Sequence, residues 1–333
     1  MTAAAPLHVP GLTPGDRVQH ELLVREREEK STKDGKPYVV LTVGNKTGTI
    51  RCENIWSERL EWAAGADRGR IVQVIGDVKL SAYNGTAERK LSVTAPLRVL
   101  PLERFRLEDF LPHVDEDVQR LWEKLDRARR SVRSAPLRAV LDCVFGDDVF
   151  REQFECAPGS TRGHHAKIGG LLQHTVEVAN IAVTSARAVR KANLDLVTAG
   201  ALLHDVGKVE AYEVGPGGFA ATPCGLLVGH VVLGLLHVER RLLTLGEPPC
   251  TEGQLLELRH MILSHHGKLE FGSPVVPMTL EAQIVHQADD ASAKATDFLD
   301  ALDDPDLWAD GDAFSKRSWQ LGRQVWKRAH DWD

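Results

Sequence analysis

Apolar and polar positions follow a period of two through roughly the first hundred residues and a period near 3.6 from residue 164 onward. Residues 18–25 form a first apolar run. Asp34-Gly35 makes a turn before residues 37–43, a β-branched and aromatic run that contains Tyr38. Asn45-Lys46-Thr47-Gly48 supplies the next turn, and residues 49–56, ending on Trp56, alternate like a strand with one buried face. A short polar helix is predicted over 57–64. Two further runs, 71–80 and 90–99, flank the turn Tyr83-Asn84-Gly85. Five strands, with a small helix between the third and fourth, are the order of an OB barrel; another small β-barrel is the alternative.

Residues 102–163 interleave charged and apolar positions around Leu121, Leu125 and Val132 and read as a helical connector packed on the next domain. Beyond them, residues 164–190, 194–212, 226–245, 251–265 and 279–302 carry apolar side chains at three- and four-residue spacing. The Gly, Pro and Ser clusters between them, such as Gly215-Pro216-Gly217-Gly218, read as punctuation. The expected organisation is multidomain α+β. It comprises a flexible N-terminus (1–14), a five-stranded OB-type barrel (15–101), the connector, an all-α bundle (164–302) and a helical tail (303–333). The tail holds four of the seven tryptophans. Within it, residues 314–328 predict an amphipathic helix, read as docking on its own domain or on a neighbouring subunit in preference to a nucleic-acid platform, so a homo-oligomer is among the expectations.

No stretch approaches ~20 uncharged apolar residues, so neither a transmembrane span nor a membrane partner is expected. The first ten residues lack the basic start and long apolar run of a secretion signal. Five scattered cysteines without a Cys-x-x-Cys pair fit a reducing, cytoplasmic setting and argue against a disulfide framework or a thiolate zinc site.

The net charge of -6 averages two unlike halves. Residues 1–101 carry 15 Lys+Arg against 12 Asp+Glu, a net +3, and the remainder is -9. Of the 14 histidines, 12 lie after residue 101, a concentration that suggests metal chemistry. His174, the adjacent His204-Asp205, His230, the adjacent His265-His266 and Asp289 each fall on or at the end of a predicted helix, and a bundle can converge such side chains on one interior point. Five imidazoles and two carboxylates suffice for two divalent ions. The expected division puts His174, His204, Asp205 and Asp289 around one ion, and His230, His265 and His266 around the other, with Asp205 shared. Asp290 is the alternative to Asp289. Nitrogen and oxygen donors without thiolates suit Mn, Fe, Co or Zn. Such a pair can generate hydroxide and clamp a phosphoryl group. Lys208, three residues after Asp205, is the candidate cation for a phosphate oxygen or leaving group; a solvated helix-end lysine is the other reading. His237, His260 and His286 are left as structural or ambiguous.

This constellation resembles the HD superfamily of metal-dependent phosphohydrolases, named for the pair found here as His204-Asp205. The blocks Gly163-His164-His165-Ala166-Lys167-Ile168-Gly169-Gly170, Ala199-Gly200-Ala201-Leu202-Leu203-His204-Asp205-Val206-Gly207-Lys208 and Ser264-His265-His266-Gly267-Lys268-Leu269-Glu270-Phe271-Gly272-Ser273-Pro274 are similar to YhaM-type 3′-5′ exoribonucleases. That family also joins an OB domain to an HD domain. The resemblance implies Mn-dependent removal of nucleoside 5′-monophosphates from the 3′ end of single-stranded RNA. The Gly-Tyr-Pro block of the cyclic-dinucleotide branch is absent from residues 267–274.

An OB barrel binds single strands through a basic groove and aromatic stacking. Tyr38, Trp56 and Tyr83 are the stacking candidates, with barrel core as the competing role, and Arg51, Lys79, Arg89 and Lys90 the phosphate candidates. His164 and His165 are placed at substrate phosphate, or alternatively at helix capping. Three functions follow: a two-metal 3′-5′ exonuclease on RNA, with single-stranded DNA as a further substrate class, a hydrolase of free nucleotides, or a non-catalytic nucleic-acid-binding protein.

Overall fold

In the computed structural model, which describes residues 7–83, 86–215, 217–308 and 311–330, the two-residue periodicity becomes a strand array. The strands are β1 (Arg17–Ser31), β2 (Pro37–Asn45), β3 (Gly48–Arg51), β4 (Ile55–Trp56), β5 (Ile71–Tyr83), β6 (Thr86–Val93) and β7 (Arg98–Leu100). Their main path is β3-β2-β1-β5-β6, all antiparallel, with β4 added to β2 and β7 to β5. The ends of the path meet where Cys52 bridges Leu91 and the Glu53 N–H donates to the Leu91 carbonyl at 3.0 Å. The result is the nearly closed five-stranded barrel that the pattern predicts, with the short helix Ser57–Ala63 in 3-10 form. Val18, Leu22, Leu41, Cys52, Val72 and Leu91 fill its core.

Two details differ from expectation. β1 runs six residues past the predicted end, because residues 26–31 are charged or polar and show no apolar alternation. They hold their place by pairing with β2 and by surface ion pairs such as Arg51–Glu28 at 2.5 Å. The segment before Gly15 is not loose over its described part. Val9 and Leu12 are buried in the barrel core, and the Val9 N–H donates to Thr47 Oγ1 at 2.9 Å. Residues 1–6 lie outside the described residues.

The helices are α1 (Val118–Ser131), α2 (Ala135–Phe145), α3 (Asp148–Cys156), α4 (Gly170–Val189), α5 (Leu194–Leu203), α6 (Lys208–Ala211), α7 (Pro223–Leu227), α8 (His230–Leu243), α9 (Glu252–Ser264) and α10 (Leu280–Asp303). One apolar core runs through them, from Leu121 and Leu125 on α1 through Phe145, Phe150 and Phe154 to Val197, Ile262 and Val285. The connector helices therefore share the core of the bundle. Around the Gly215–Gly218 punctuation, Gly215 ends β8 (Tyr212–Gly215) and Gly218 opens β9 (Gly218–Ala221), and the two strands pair. The chain divides into two compact units: Met1–Pro112 with Val214–Ala220 and Ala301–Asp333, and His113–Glu213 with Ala221–Asp300.

The predicted tail helix over 314–328 is absent. Phe314 instead bridges Trp326 and Ser318 bridges Arg323 in antiparallel fashion. Two causes are visible. Gly322 adopts φ 65°, a left-handed conformation that interrupts a helix. The Ser315 hydroxyl accepts from the Val325 N–H at 2.8 Å, so a local side chain competes for a backbone donor.

Burial pushes the Cys52 thiol up to about 12, so it stays protonated and unreactive at neutral pH. Alkylation of the native protein, followed by peptide mass spectrometry, should label the exposed Cys156 and Cys224 and spare Cys52 until denaturant is added. Labelling of Cys52 at the rate of Cys224 would mean that the closing contact of the barrel opens readily.

Candidate functional site

Helix ends create the site. The last carbonyls of an α-helix have no intrahelical partner, and a histidine at the C-cap can satisfy one from Nδ1. His204 caps α5 and donates to the Ala201 carbonyl at 2.7 Å; His265 caps α9 and donates to the Ile262 carbonyl at 2.7 Å. Each bond fixes the tautomer so that Nε2 presents its lone pair. His266 Nδ1 donates likewise to the Phe271 carbonyl at 2.7 Å. On α4, His174 Nδ1 donates to Ser292 Oγ at 3.1 Å, and the serine proton goes on to Glu177 Oε2 at 2.8 Å.

Two glycines let these ends meet. A Cβ on Gly200 would lie 2.3 Å from the Met261 methyl, so its absence admits α5 against α9 and brings His204 beside His265. A Cβ on Gly207 would lie 2.1 Å from the His230 carbonyl and 2.2 Å from the Gly234 nitrogen. Its absence lets the turn after Asp205 rest on the start of α8, beside His230.

The seven expected positions come together as two adjoining groups. His174, His204, Asp205 and Asp289 form one, and His230, His265 and His266 the other. Asp205 faces both. Its Oδ2 lies 3.3 Å from His174 Nε2 and 3.2 Å from His204 Nε2, and its Oδ1 lies 3.4 Å from His230 Nε2 and 3.5 Å from His265 Nε2. Asp289 Oδ1 stands 3.0 Å from His174 Nε2, whereas Asp290 turns to Lys294 at 2.6 Å. The separations match donors about 2.0–2.2 Å from a shared cation. Asp205 Oδ1 and His265 Nε2 are buried with no hydrogen-bond partner, and His174 Nε2 and His204 Nε2 face each other at 3.3 Å. Buried orphan acceptors and closely facing ring nitrogens are what a divalent cation would satisfy.

The charges are unequal. Burial acts to raise the Asp205 carboxyl, but Lys208, His204 and His174 outweigh it and hold it well below the ordinary range. Burial acts to lower the His174 imidazole, but contacts with Asp205 and Asp289 raise it to about 9. Burial pushes His266 down to about 4, and His230 well down, so both are neutral donors at pH 7. Lys208 opens α6, buried, with Nζ 2.6 Å from Asp205 Oδ2. A pocket of about 300 Å³ opens onto these groups, lined by His164, Lys208, Tyr212, His230, Phe271 and Asp289 among others.

His165 does not reach that pocket. It is buried, with Nε2 2.9 Å from Glu177 Oε2, which corrects its placement at substrate phosphate. The three remaining histidines also find places. His237 contacts Glu210 at 3.2 Å, and His260 Nε2 accepts from the Met278 N–H. His286 Nδ1 donates to the His265 carbonyl and its ring joins the pocket wall. Glu177, Ser292, Tyr212 and Phe271 received no role in the sequence reading, although Phe271 lies in a block that carries the resemblance, because nothing in their spacing marks a function.

On the barrel a groove of about 700 Å³ is lined by Trp56, Arg59, Trp62, Lys79 and Lys90, together with Glu53 and Glu58. Lys79 and Lys90 are direct cross-strand partners of β5 and β6, a like-charge pairing that Glu88, 3.8 Å from Lys90 Nζ, relieves in part. Trp56 is 44% exposed and stacks with Tyr38 at 5.0 Å between ring centroids. Arg59 lies over the Trp62 ring at 4.7 Å; sequence reasoning assigned neither residue. Arg51 is engaged with Glu28. Arg89 is not a phosphate ligand: its guanidinium binds Asp306 at 2.8 Å and the carbonyls of Pro10 and Leu12. Tyr83 ends β5, but its side chain lies outside the described residues.

Two outcomes follow from the centre. Glu177→Gln should weaken divalent-cation affinity by about 10–100-fold, read by titrating metal into the chelated protein. Because His174 is raised to about 9, it is protonated near neutral pH without metal, and a bound cation must displace that proton. Metal binding should therefore release protons and tighten as pH rises toward about 9. Titration calorimetry in buffers of different ionisation enthalpy measures both, and a proton count of zero would contradict the assignment.

The family model for the HD domain matches residues 171–294. The 3′-5′ exoribonuclease YhaM of Bacillus subtilis (strain 168) is 29% identical over 280 residues, 84% of this chain and 86% of that protein. The YhaM proteins of Geobacillus sp. (strain WCH70), at 29% identity over 84% of this chain and 83% of that protein, and Listeria welshimeri, at 27% over 85% and 88%, are similar in the same way. The chain carries an HD domain over residues 171–294 and is a relative of the YhaM-type 3′-5′ exoribonucleases.

Proposed function

We propose that this protein is a metal-dependent 3′-5′ exonuclease that shortens single-stranded RNA and releases nucleoside 5′-monophosphates. The observation that carries this reading is Asp205, a buried carboxylate whose two oxygens each serve a separate cluster of nitrogen donors. That arrangement fits two divalent cations, with Mn the first choice and Fe, Co or Zn compatible with the same donors. Such a pair would activate water near neutral pH and neutralise phosphate charge. The names of the relatives direct the reading to the 3′ end of RNA.

The protein's own groups supply the rest. His174, His204, Asp205 and Asp289 hold one cation position, and His230, His265 and His266 the other. Lys208 stays protonated: burial acts to lower it, but Asp205 raises it above its ordinary value. Its ammonium lines the pocket and offers charge to a non-bridging phosphate oxygen. Burial first, then the Lys208 charge, lowers His164, so at pH 7 it is a neutral partner for the phosphate or leaving group. A pocket of about 300 Å³ is at the small end of ligand sites and suits one terminal nucleotide. The barrel groove contributes strand affinity through Trp56, Lys79 and Lys90 without reading sequence.

The test is a 5′-labelled single-stranded RNA incubated with Mn, beside a matching DNA and free nucleotides. A ladder shortening from the 3′ end is expected. Intact RNA beside a consumed nucleotide would overturn the reading in favour of a nucleotide hydrolase. Asp205→Asn should lower hydrolysis by more than about a hundredfold, the ceiling for outer partners of a metal. Strand affinity measured in chelator should be unchanged.

A further inference from the structure

The tail segment from residue 311 to residue 330 has a composition unlike the rest of the chain. It carries Lys316, Arg317, Arg323, Lys327 and Arg328 against Asp312, a net +4 in a protein of net -6. It also exposes three large rings: Phe314 at 57%, Trp319 at 69% and Trp326 at 53%. Exposed aromatics interleaved with cations are the make-up of a single-strand stacking surface.

The segment is ordered by its own bonds. The Ser315 N–H donates to the Val325 carbonyl at 2.8 Å, the Ser318 N–H to the Arg323 carbonyl at 2.9 Å, and the Lys327 N–H to the Ala313 carbonyl at 2.9 Å. Ser315, Ser318 and Val325 are buried beneath it. Phe314 and Trp326 are direct cross-strand partners, so their rings project to the same side, and Trp319 stands at the turn end. Lys316 is committed to the Asp306 carbonyl at 3.0 Å, and Lys327 lies over the Trp308 ring at 5.6 Å. Arg317, Arg323 and Arg328 are exposed. A strap whose rings are already fixed in water binds without the ordering cost that a disordered tail would incur.

We propose that this strap is a second binding surface for single-stranded nucleic acid, apart from the barrel groove, in which Trp319, Phe314 and Trp326 stack on bases and Arg317 and Arg328 meet phosphates. The inference rests on the exonuclease reading for its choice of partner. A nucleic-acid strand is complementary to the net +4 of the strap, whereas a symmetric contact between two straps would oppose net +4 to net +4. Stacking uses the base face and ignores the 2′-hydroxyl, so RNA and DNA strands should both bind.

The experiment measures anisotropy of labelled ~20-nucleotide oligo(U) and oligo(dT) on the full chain in chelator, where no hydrolysis occurs; that length exceeds the footprint of one OB barrel. Trp319→Ala and Trp326→Ala should each weaken both strands by about tenfold, and Trp319→Phe should restore binding. Arg317→Ala with Arg328→Ala should reduce the slope of log affinity against log salt by about 1.4, or 0.7 per phosphate. If Trp319→Ala disturbs folding in a thermal melt, the arginine slope decides. Wild-type affinity in every variant would overturn the proposal, as would a Trp319→Phe protein no better than the alanine form. A dimer that Trp319→Ala splits in sedimentation, with RNA affinity intact, would assign the surface to contact between copies instead. The 3′ ladder of the unaltered protein is read separately, so failure of the strap and failure of the exonuclease reading are distinguishable.

Discussion

The structure turns on a buried carboxylate that the protein itself does not satisfy. Asp205 is 1% exposed, and its Oδ1 has no hydrogen-bond donor. An uncompensated buried charge costs several kcal/mol, and that cost persists in folded proteins only where a partner answers it. Lys208 answers one oxygen at 2.6 Å. The other is left facing two imidazole nitrogens whose own protons are committed elsewhere or whose lone pairs point inward. A divalent cation at the centre would complete that oxygen together with the ring nitrogens that face it. The glycines at 200 and 207, the histidine caps of α5 and α9, and the Ser292–Glu177 chain all serve that end: they bring donors close and fix which nitrogen each presents.

Under the proposed function, the same constraint reconciles an acidic protein with a polyanionic strand. Residues 102–310 carry 21 Lys+Arg against 32 Asp+Glu, a net -11 that would repel a strand. Cations at the centre are missing from that sum and act at short range, where low dielectric strengthens them. The basic excess lies in the barrel sequence and in the tail strap, and both are assigned to the same compact unit. On that reading, attraction for the strand and chemistry on it draw on different charges: permanent side-chain cations for the first, and bound metal for the second.

Legibility in the sequence followed how much each feature depends on chemistry rather than on partners. The centre was readable because few residue types can ligate a divalent ion, and because helix ends gather such residues at recognisable places. The barrel was readable where one face is buried and not where it is wet: the charged end of β1 has no alternation to detect, although its ladder is regular. Arg89 and His165 misled for a different reason. The carboxylate that engages Arg89 lies 217 residues away, and the one that engages His165 lies twelve residues on, across a helix start. Spacing cannot reveal which of several carboxylates a guanidinium or an imidazole will meet in space. The tail misled because its apolar residues fit helical spacing, while Gly322 and two serine hydroxyls stabilise a bridged strap instead.

Exposed tryptophan on an ordered segment is an unusual use of the residue, which ordinarily contributes its area to a core or an interface. In this chain Trp122 does so inside the bundle at 3% exposure, with its indole N–H bonded to Glu155 at 2.8 Å. Trp319 and Trp326 keep half or more of their surface in water, though the strap beneath them is tightly hydrogen-bonded. Folding alone gives no reason to hold rings in that state, since a polar residue would serve the strap's hydrogen bonds equally well. The arrangement makes physical sense when the missing contact is made by a flat, charged, flexible ligand. It is the surface counterpart of Asp205: groups that the fold positions firmly and leaves for something outside the chain to complete.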